Sequence, residues 1–197
     1  MKMISDLLLT ALYTVFVQNL VLSSGLGMSE AIRVSTKPGT FGRFAFMISG
    51  FSVVTSALCG LLDSFSALSE ISYAARAAIY GLVLAAVYAV VAAVMKFAFK
   101  ASPKLLGTLG IAALNTLVFA IPHINNSAAY SFAGSIGSGI GAGIAFVLAA
   151  ALISSGSKRI AENDEIPEIF KGTPAMFFYV AMLSLAFAGF TDTNIFG

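Results

Sequence analysis

The chain has 197 residues, of which 58% are hydrophobic and only 10% are charged, and its mean hydropathy is +0.93. A soluble domain needs a more polar surface than this composition provides, so lipid must be the solvent for much of the protein. The net charge is +2, and no basic stretch is long enough to indicate nucleic-acid binding. The chain has one cysteine and one histidine, which cannot supply the clustered ligands of a zinc, haem or iron-sulfur site.

Six apolar segments follow one another along the chain, separated by short polar gaps. A transmembrane helix needs roughly 20 mainly apolar residues, so this length allows about six spans and no separate soluble domain. The predicted spans are residues 4–27, 41–62, 75–98, 105–122, 130–154 and 172–190. We therefore predict an all-α integral membrane protein that forms one domain over residues 1–197.

The first span has an alternative explanation, a cleaved signal peptide, because Lys2 precedes the apolar run and small residues follow it. The run is longer than the apolar part of an ordinary signal peptide, and it includes Gln18 and Asn19. We therefore predict a retained first helix.

The first and fourth spans each carry an asparagine shortly before residues that weaken a helix. Asn19 precedes the small residues 23–27, and Asn115 precedes Pro122 and the polar residues 123–126. Interrupted helices at matching positions indicate a functional centre near the membrane midplane. The alternative for either asparagine alone is an amide that caps or bonds a neighbouring helix.

These interruptions suggest that the chain consists of two related halves, about 1–100 and 101–197. Three spans per half make the second half enter the membrane from the opposite face, which is the condition for an inverted repeat. The predicted fold is thus six transmembrane helices arranged as two inverted three-helix repeats, with helices 1 and 4 broken.

No carboxylate lies deep within a predicted span, so we do not expect the chain to carry a proton path by itself. Neutral oxygens at the two interruptions are suitable ligands for Na⁺. The candidate residues of an ion path are Asn19, Ser23, Ser29, Asn115 and Thr116. His123 is interpreted as an interfacial or capping residue, and no catalytic residue is identified.

Basic residues concentrate in the first, third and fifth loops, leaving only Lys2 and Arg76 on the opposite side. Cytoplasmic loops are enriched in Lys and Arg, so the odd loops are predicted to be cytoplasmic and both termini outside. In the fifth span, Gly137 and Gly141 are four residues apart, as are Gly139 and Gly143. This spacing predicts close helix packing, either at the centre of the protein or at an intersubunit contact.

Several stretches of the sequence resemble the Rnf/Nqr membrane-subunit family. Residues 166–172 (IPEIFKG) and 183–190 (LSLAFAGF) resemble the end of such subunits. Residues 18–22 and 26–28 are similar to the first helix of the RnfA and NqrE branch, and residues 135–146 to its fifth helix.

The resemblance implies a six-helix subunit of a bacterial or archaeal cytoplasmic membrane, paired with a related subunit of opposite orientation. It implies a larger complex that couples Na⁺ or H⁺ translocation to electron flow, from ferredoxin to NAD or from NADH to quinone. In the family, each broken helix contributes a cysteine, and the paired subunits hold a two-iron, two-sulfur cluster between them.

The sequence departs from the family at both cysteines, because Ser29 and Thr116 occupy the matching positions. A hydroxyl is a poor substitute for thiolate at iron, so no cofactor is expected in this chain. The leading hypothesis is an Rnf/Nqr-type subunit that keeps the scaffold and an ion path without ligating the cluster.

Two alternatives stay open at this point. One is an electron-transfer subunit whose cluster uses cysteines of the partner or a different set of ligands. The other is a stand-alone membrane carrier or channel that reuses the fold, with a homodimer contact through the glycine-rich fifth helix.

Overall fold

The structure, a computed structural model, describes residues 2–65 and 71–191, and within these ranges every regular element is helical. A first helix, α1 (Lys2–Tyr13), continues into a π-helical turn (Thr14–Gln18). The remaining helices are α2 (Leu20–Ser24), α3 (Met28–Ser35), α4 (Pro38–Asp63), α5 (Tyr73–Phe97), α6 (Pro103–Ala113), α7 (Thr116–Ser127), α8 (Phe132–Ala161) and α9 (Thr173–Thr191).

These elements form six apolar passages. Five helical stretches are long and apolar enough to cross a membrane: Lys2–Ser24, Gly39–Asp63, Tyr73–Phe97, Pro103–Ser127 and Phe132–Ala161. The sixth is a shorter apolar helix, Thr173–Gly189. The predicted class, an all-α integral membrane protein, is confirmed.

The six passages pack so that the broken passage of each half lies against helices of the other half. The first passage lies against α8 and α9 of the second half, and α6 with α7 lies against α4 and α5 of the first half. The second helices of the two halves, α4 and α8, make the most extensive contact in the protein. Each half therefore packs its broken passage against helices of the other half.

Helix α8 lies at the centre because its glycines let two neighbours, α1 and α4, approach closely. A Cβ atom on Gly139 would lie 2.8 Å from the Ser52 carbonyl oxygen of α4, and one on Gly141 would lie 2.5 Å from the Ala11 carbonyl oxygen of α1. Gly137 is equally close to the Leu7 backbone. The predicted close packing is therefore internal to the chain, and a homodimer contact would need a different surface.

Two span boundaries differ from the sequence prediction. Helix α8 continues to Ala161, beyond the predicted end at residue 154, and its last turn carries Lys158 and Arg159. The fourth passage continues to Ser127 instead of ending at residue 122, so Pro122 lies inside α7. Neighbouring helices can compensate for the hydrogen bond that a proline removes, and membrane helices tolerate proline for this reason.

The single cysteine, Cys59, lies in α4 and is fully buried. The interior also includes large apolar side chains such as Phe44 and Phe146, whose ring centroids are 6.2 Å apart. By contrast, large apolar residues such as Leu82 and Phe178 are more than two-thirds exposed, as expected of helix faces that contact lipid.

Candidate functional site

Asn19 forms the first helix break, between the π-helical turn and α2. Its amide nitrogen donates to the Val15 carbonyl at 3.0 Å, and its side-chain oxygen accepts from the Leu22 N–H at 3.2 Å. One buried side chain thus satisfies backbone groups on both sides of the break, which lipid would leave unpaired. The break predicted in helix 1 is present, but it begins at Asn19 itself, before the small residues 23–27.

The chain turns a second time after α2, where Gly25 and Gly27 adopt left-handed conformations with φ of 70° and 75°. Helix α3 then begins at Met28 and ends at Ser35. These residues lie after the predicted first span, in and next to the predicted first loop, but they are helical. The first passage therefore ends in the short helix α2, and the two left-handed glycines lead the chain into α3, whose first turn carries Ser29.

The second break lies at Leu114 and Asn115, between α6 and α7. Asn115 has an extended backbone, and its side-chain oxygen accepts from the Leu117 N–H at 2.8 Å. This is ordinary N-cap geometry, for which asparagine is among the preferred residues. The break predicted in helix 4 is present, but it lies at Asn115 and not at Pro122 and residues 123–126.

The glycine turn after α2 meets the second break in space, although 89 residues separate Gly27 from Thr116. The Gly27 N–H donates to the Thr116 hydroxyl at 2.9 Å, and a Cβ atom on Gly27 would lie 2.8 Å from the Asn115 side-chain oxygen. Glycine is required at position 27 both by this approach and by its positive φ. The turn at Gly27 and the break at Asn115 therefore form one junction.

A cavity of about 420 Å³ opens at this junction. Its lining comes from α3, α5, α6 and the start of α7, namely Ser29, Glu30, Tyr88, Gly107, Gly110, Ile111, Leu114, Asn115 and Thr116. Ser29 and Thr116 are exposed, whereas the Asn115 amide nitrogen is buried and has no partner among the residues that the structure describes. Three of the five candidate residues thus line one cavity.

The other two candidates, Asn19 and Ser23, do not line the cavity. The Ser23 hydroxyl donates to the Gln18 carbonyl at 2.6 Å, and both polar atoms of the Asn19 side chain bond the backbone. These side chains close the first break. Their polar atoms are engaged within the first passage, whereas Ser29 and Thr116 lie at the exposed wall of the cavity.

The electrostatics of the cavity favour negative charge. The N-termini of α3 and α7 both lie at its wall, and exposed N–H groups give a helix N-terminus a partial positive charge. Glu30 in the first turn of α3 is the carboxylate in this lining, and it pairs with Arg33. A cation crossing here would depend on Glu30 to offset the two helix ends.

Glu30 and Tyr88 line the cavity but were not among the predicted site residues. Glu30 was assigned to a loop, although its place three residues after Gly27 is typical of an acidic residue in the first turn of a helix. Tyr88 gave no signal, because it lies in an apolar run and reaches the cavity only when α5 packs against Gly110, whose Cβ would lie 3.2 Å from the Tyr88 hydroxyl.

The donor set does not fit the family's iron-sulfur cluster. Ser29 and Thr116 supply hydroxyls where thiolates are needed, and the only cysteine, Cys59, is buried in α4 and does not line the cavity. No electron-transfer step through these residues follows from the geometry.

A second polar cluster joins α4, α5 and α7 away from the cavity. The Tyr80 hydroxyl donates to the Asp63 carboxylate at 2.5 Å, and Arg76 lies 3.4 Å from the same carboxylate. His123 is buried beside it, with its ring 4.8 Å from that of Tyr80 and 5.2 Å from that of Phe119. Neither imidazole nitrogen has a partner among the described residues, which does not support the capping alternative for His123, and the interfacial one stays a prediction.

Comparison with known proteins identifies the family of this chain. The family described as "Rnf-Nqr subunit, membrane protein" matches residues 7–193, nearly the whole chain. The chain belongs to the Rnf-Nqr family. The resemblance drawn from the sequence motifs is therefore confirmed.

Several relatives within the Rnf-Nqr family match almost end to end, and all are RnfA subunits. The RnfA subunit of the ion-translocating oxidoreductase complex of Psychromonas ingrahamii is 31% identical, with 95% of this chain and 97% of the relative covered. Its counterpart from Rhodobacter capsulatus is 31% identical over 94% of this chain and 96% of its own. The corresponding subunit of the Na⁺-translocating ferredoxin:NAD⁺ oxidoreductase complex of Acetobacterium woodii is 27% identical, with coverage of 92% and 94%.

Proposed function

We propose that this chain is a membrane subunit of an ion-translocating electron-transport complex, in the position that RnfA holds among its Rnf-Nqr relatives. Two observations support the proposal: the match to the RnfA relatives extends over both chains, and the membrane fold is retained with both helix breaks. The chain acts as one membrane domain whose halves, about 1–100 and 101–197, are inverted repeats.

The cavity at the joined breaks is the surface through which the chain contacts a related six-helix subunit of opposite orientation. The observation that carries this step is the exposure of Ser29 and Thr116 on one cavity wall, next to the hydrogen bond between Gly27 and Thr116. The exposed hydroxyls of Ser29 and Thr116 are polar groups to which a partner can hydrogen-bond. Other subunits of the complex, including those that carry flavin and iron-sulfur centres, supply the redox groups.

The chain's own contribution is structural and ionic rather than electron-carrying. Ser29, Asn115 and Thr116 provide neutral oxygens for an ion path, and Glu30 provides the charge that makes cation passage compatible with the two helix N-termini. Both termini lie outside the cytoplasmic membrane, on the side opposite the basic loops.

The test is purification of the tagged chain from native membranes in mild detergent, followed by transport assays on inverted vesicles. We expect the other complex subunits to co-purify, and electron transfer from ferredoxin or NADH to drive uptake of Na⁺ or H⁺. Deletion of the gene should abolish that uptake, and iron content should follow the partner subunits alone.

A matched pair of variants tests the junction in the same assay. Thr116→Val removes the acceptor of the Gly27 N–H and should lower ion uptake several-fold, because an unpaired buried donor costs about 1–3 kcal/mol. Thr116→Ser keeps the hydroxyl and should retain most of the uptake. A chain that purifies alone and transports solute without a redox partner would instead establish the carrier.

A further inference from the structure

A lateral groove between α4, α5 and α6 is separate from the cavity at the helix breaks. Its volume is about 670 Å³, and apolar side chains such as Phe51, Val87 and Leu109 form nearly all of its wall. It opens toward the lipid, because Phe46 and Val54 on its rim are 80% and 45% exposed. At position 50 a glycine leaves open space, with no atom within 4 Å of where a Cβ would stand.

One end of this groove is basic. Arg43 lines it there, is exposed, and makes no hydrogen bond or ion pair with the part of the chain that the structure describes. Ser102, the N-cap of α6, lines the same end, and the exposed Lys100 and Lys104 flank it in sequence. The N-termini of α4 and α6 add partial positive charge at this end.

The length of the groove matches one leaflet of a bilayer. Its lining runs along α4 from Arg43 to Val54, which corresponds to about 16 Å at 1.5 Å per residue. Half of a hydrocarbon core about 30 Å thick is roughly 15 Å. The basic end therefore lies at the depth of lipid headgroups, and the apolar part lies at the depth of the acyl chains.

We propose that this groove binds an anionic phospholipid, with one acyl chain between α4 and α5 and the phosphate against Arg43. The charge of the headgroup complements a cation that no described residue neutralises, and the apolar wall accepts the chain. The lipid comes from the leaflet facing the loop between α5 and α6, which is the cytoplasmic leaflet if the basic loops are inside.

Quenching by brominated lipids tests the proposal, because the chain has no tryptophan and an introduced one reports alone. The full chain carrying Phe46→Trp is reconstituted in phosphatidylcholine vesicles that contain brominated phosphatidylglycerol or, at equal mole fraction, brominated phosphatidylcholine. We expect binding of the anionic lipid to be favoured about five-fold, the preference expected of one basic residue at an anionic surface. Val94→Trp, an exposed position of α5 outside the groove, should be quenched equally by both lipids.

Two further substitutions separate the headgroup from the acyl chain. On the Phe46→Trp background, Arg43→Gln should remove the five-fold preference, whereas Lys37→Gln, another exposed cation near the start of α4, should keep it. Gly50→Leu fills the groove and should remove the excess quenching by either lipid. Gly42→Leu is the control, because this residue also has open space around it but does not line the groove.

The proposal would be overturned if Phe46→Trp, like Val94→Trp, were quenched equally by the two brominated lipids. It would also be overturned if the preference for the anionic lipid survived Arg43→Gln. The proposal would also be overturned if the excess quenching disappeared once the chain was assembled with its native partners. In that assembly, the signal of the introduced tryptophan is the difference in fluorescence between complexes with and without Phe46→Trp. Loss of the excess quenching there would show that a neighbouring protein of the complex, rather than a lipid, occupies the groove.

Discussion

Asparagine performs the same task at both helix breaks, although the two side chains bond differently. Asn115 is an N-cap that accepts one backbone N–H, whereas Asn19 also donates to the Val15 carbonyl and so bonds the helices on both sides. A backbone group without a partner costs several kcal/mol in lipid, which explains why an amide side chain lies at the point where each helix stops. Each interruption is thereby a stable part of the fold.

Gly27 is the residue on which the junction depends most. Gly27→Ala should lower the free energy of unfolding in detergent by about 2–4 kcal/mol, because a left-handed alanine is strained and its Cβ would press on the Asn115 side chain. Gly25→Ala is the matched control: its φ is also positive, but nothing lies within 4 Å, so only the backbone strain of about 1–2 kcal/mol is expected. Equal losses in the two variants would show that the contact with Asn115 contributes nothing.

The sequence predicted the chemistry of these residues better than their arrangement. Asn19 and Asn115 stand out because amides are costly inside a span, so their importance is visible in the sequence. The contact between Gly27 and Thr116 depends on tertiary packing between distant parts of the chain, and no local pattern encodes it. Tyr88 was missed for the same reason, since it reaches the cavity only through helix packing, whereas Glu30 had a local signal after Gly27 but was assigned to a loop.

At the scale of elements, hydropathy located all six passages but misplaced several ends. The first break was expected among residues 23–27, and the fourth predicted span, which corresponds to α6 and α7, was expected to end at Pro122. In the structure the capping asparagines begin the breaks, and tertiary contacts carry α7 through the proline. Local propensity identifies residues that weaken a helix, but neighbouring helices decide where it stops.

The close packing of α1 on α8 gives a prediction for a whole element. Gly141→Ala should destabilise the protein by about 1–3 kcal/mol, because the added methyl group would push α8 away from the Ala11 backbone. Gly42→Ala, in an open position of α4, should be neutral or stabilise the protein by up to about 1 kcal/mol through its helix propensity. Thermal unfolding in detergent measures both, and a neutral Gly141→Ala would contradict the packing.

At the scale of the whole molecule, the packing of each broken helix against the other half explains why the protein forms one unit. Neither half encloses its own broken helix, since the first lies against α8 and α9 and the second against α4 and α5. Each half therefore completes the burial of the other. Either half expressed by itself would expose polar groups of its break to lipid.

The orientation of the molecule is a prediction that thiol labelling can check. Because the buried Cys59 should not react, cysteines introduced at Ala128 and Glu162, both exposed, would be the reactive thiols of the chain. An impermeant reagent added to intact cells should label Ala128→Cys but label Glu162→Cys only after the cells are permeabilised. The reverse pattern would mean that the termini are cytoplasmic, and labelling of the unmodified chain would invalidate the background.

The length of α8 has a mechanical consequence. A helix of 30 residues is about 45 Å long, and at an ordinary tilt of about 20° it extends roughly 10 Å beyond the hydrocarbon core. The same unbroken helix that carries the glycines against α1 and α4 therefore ends beyond the hydrocarbon core with Lys158 and Arg159 in its last turn. A force applied to that end by a water-soluble protein is transmitted directly to the centre of the bilayer.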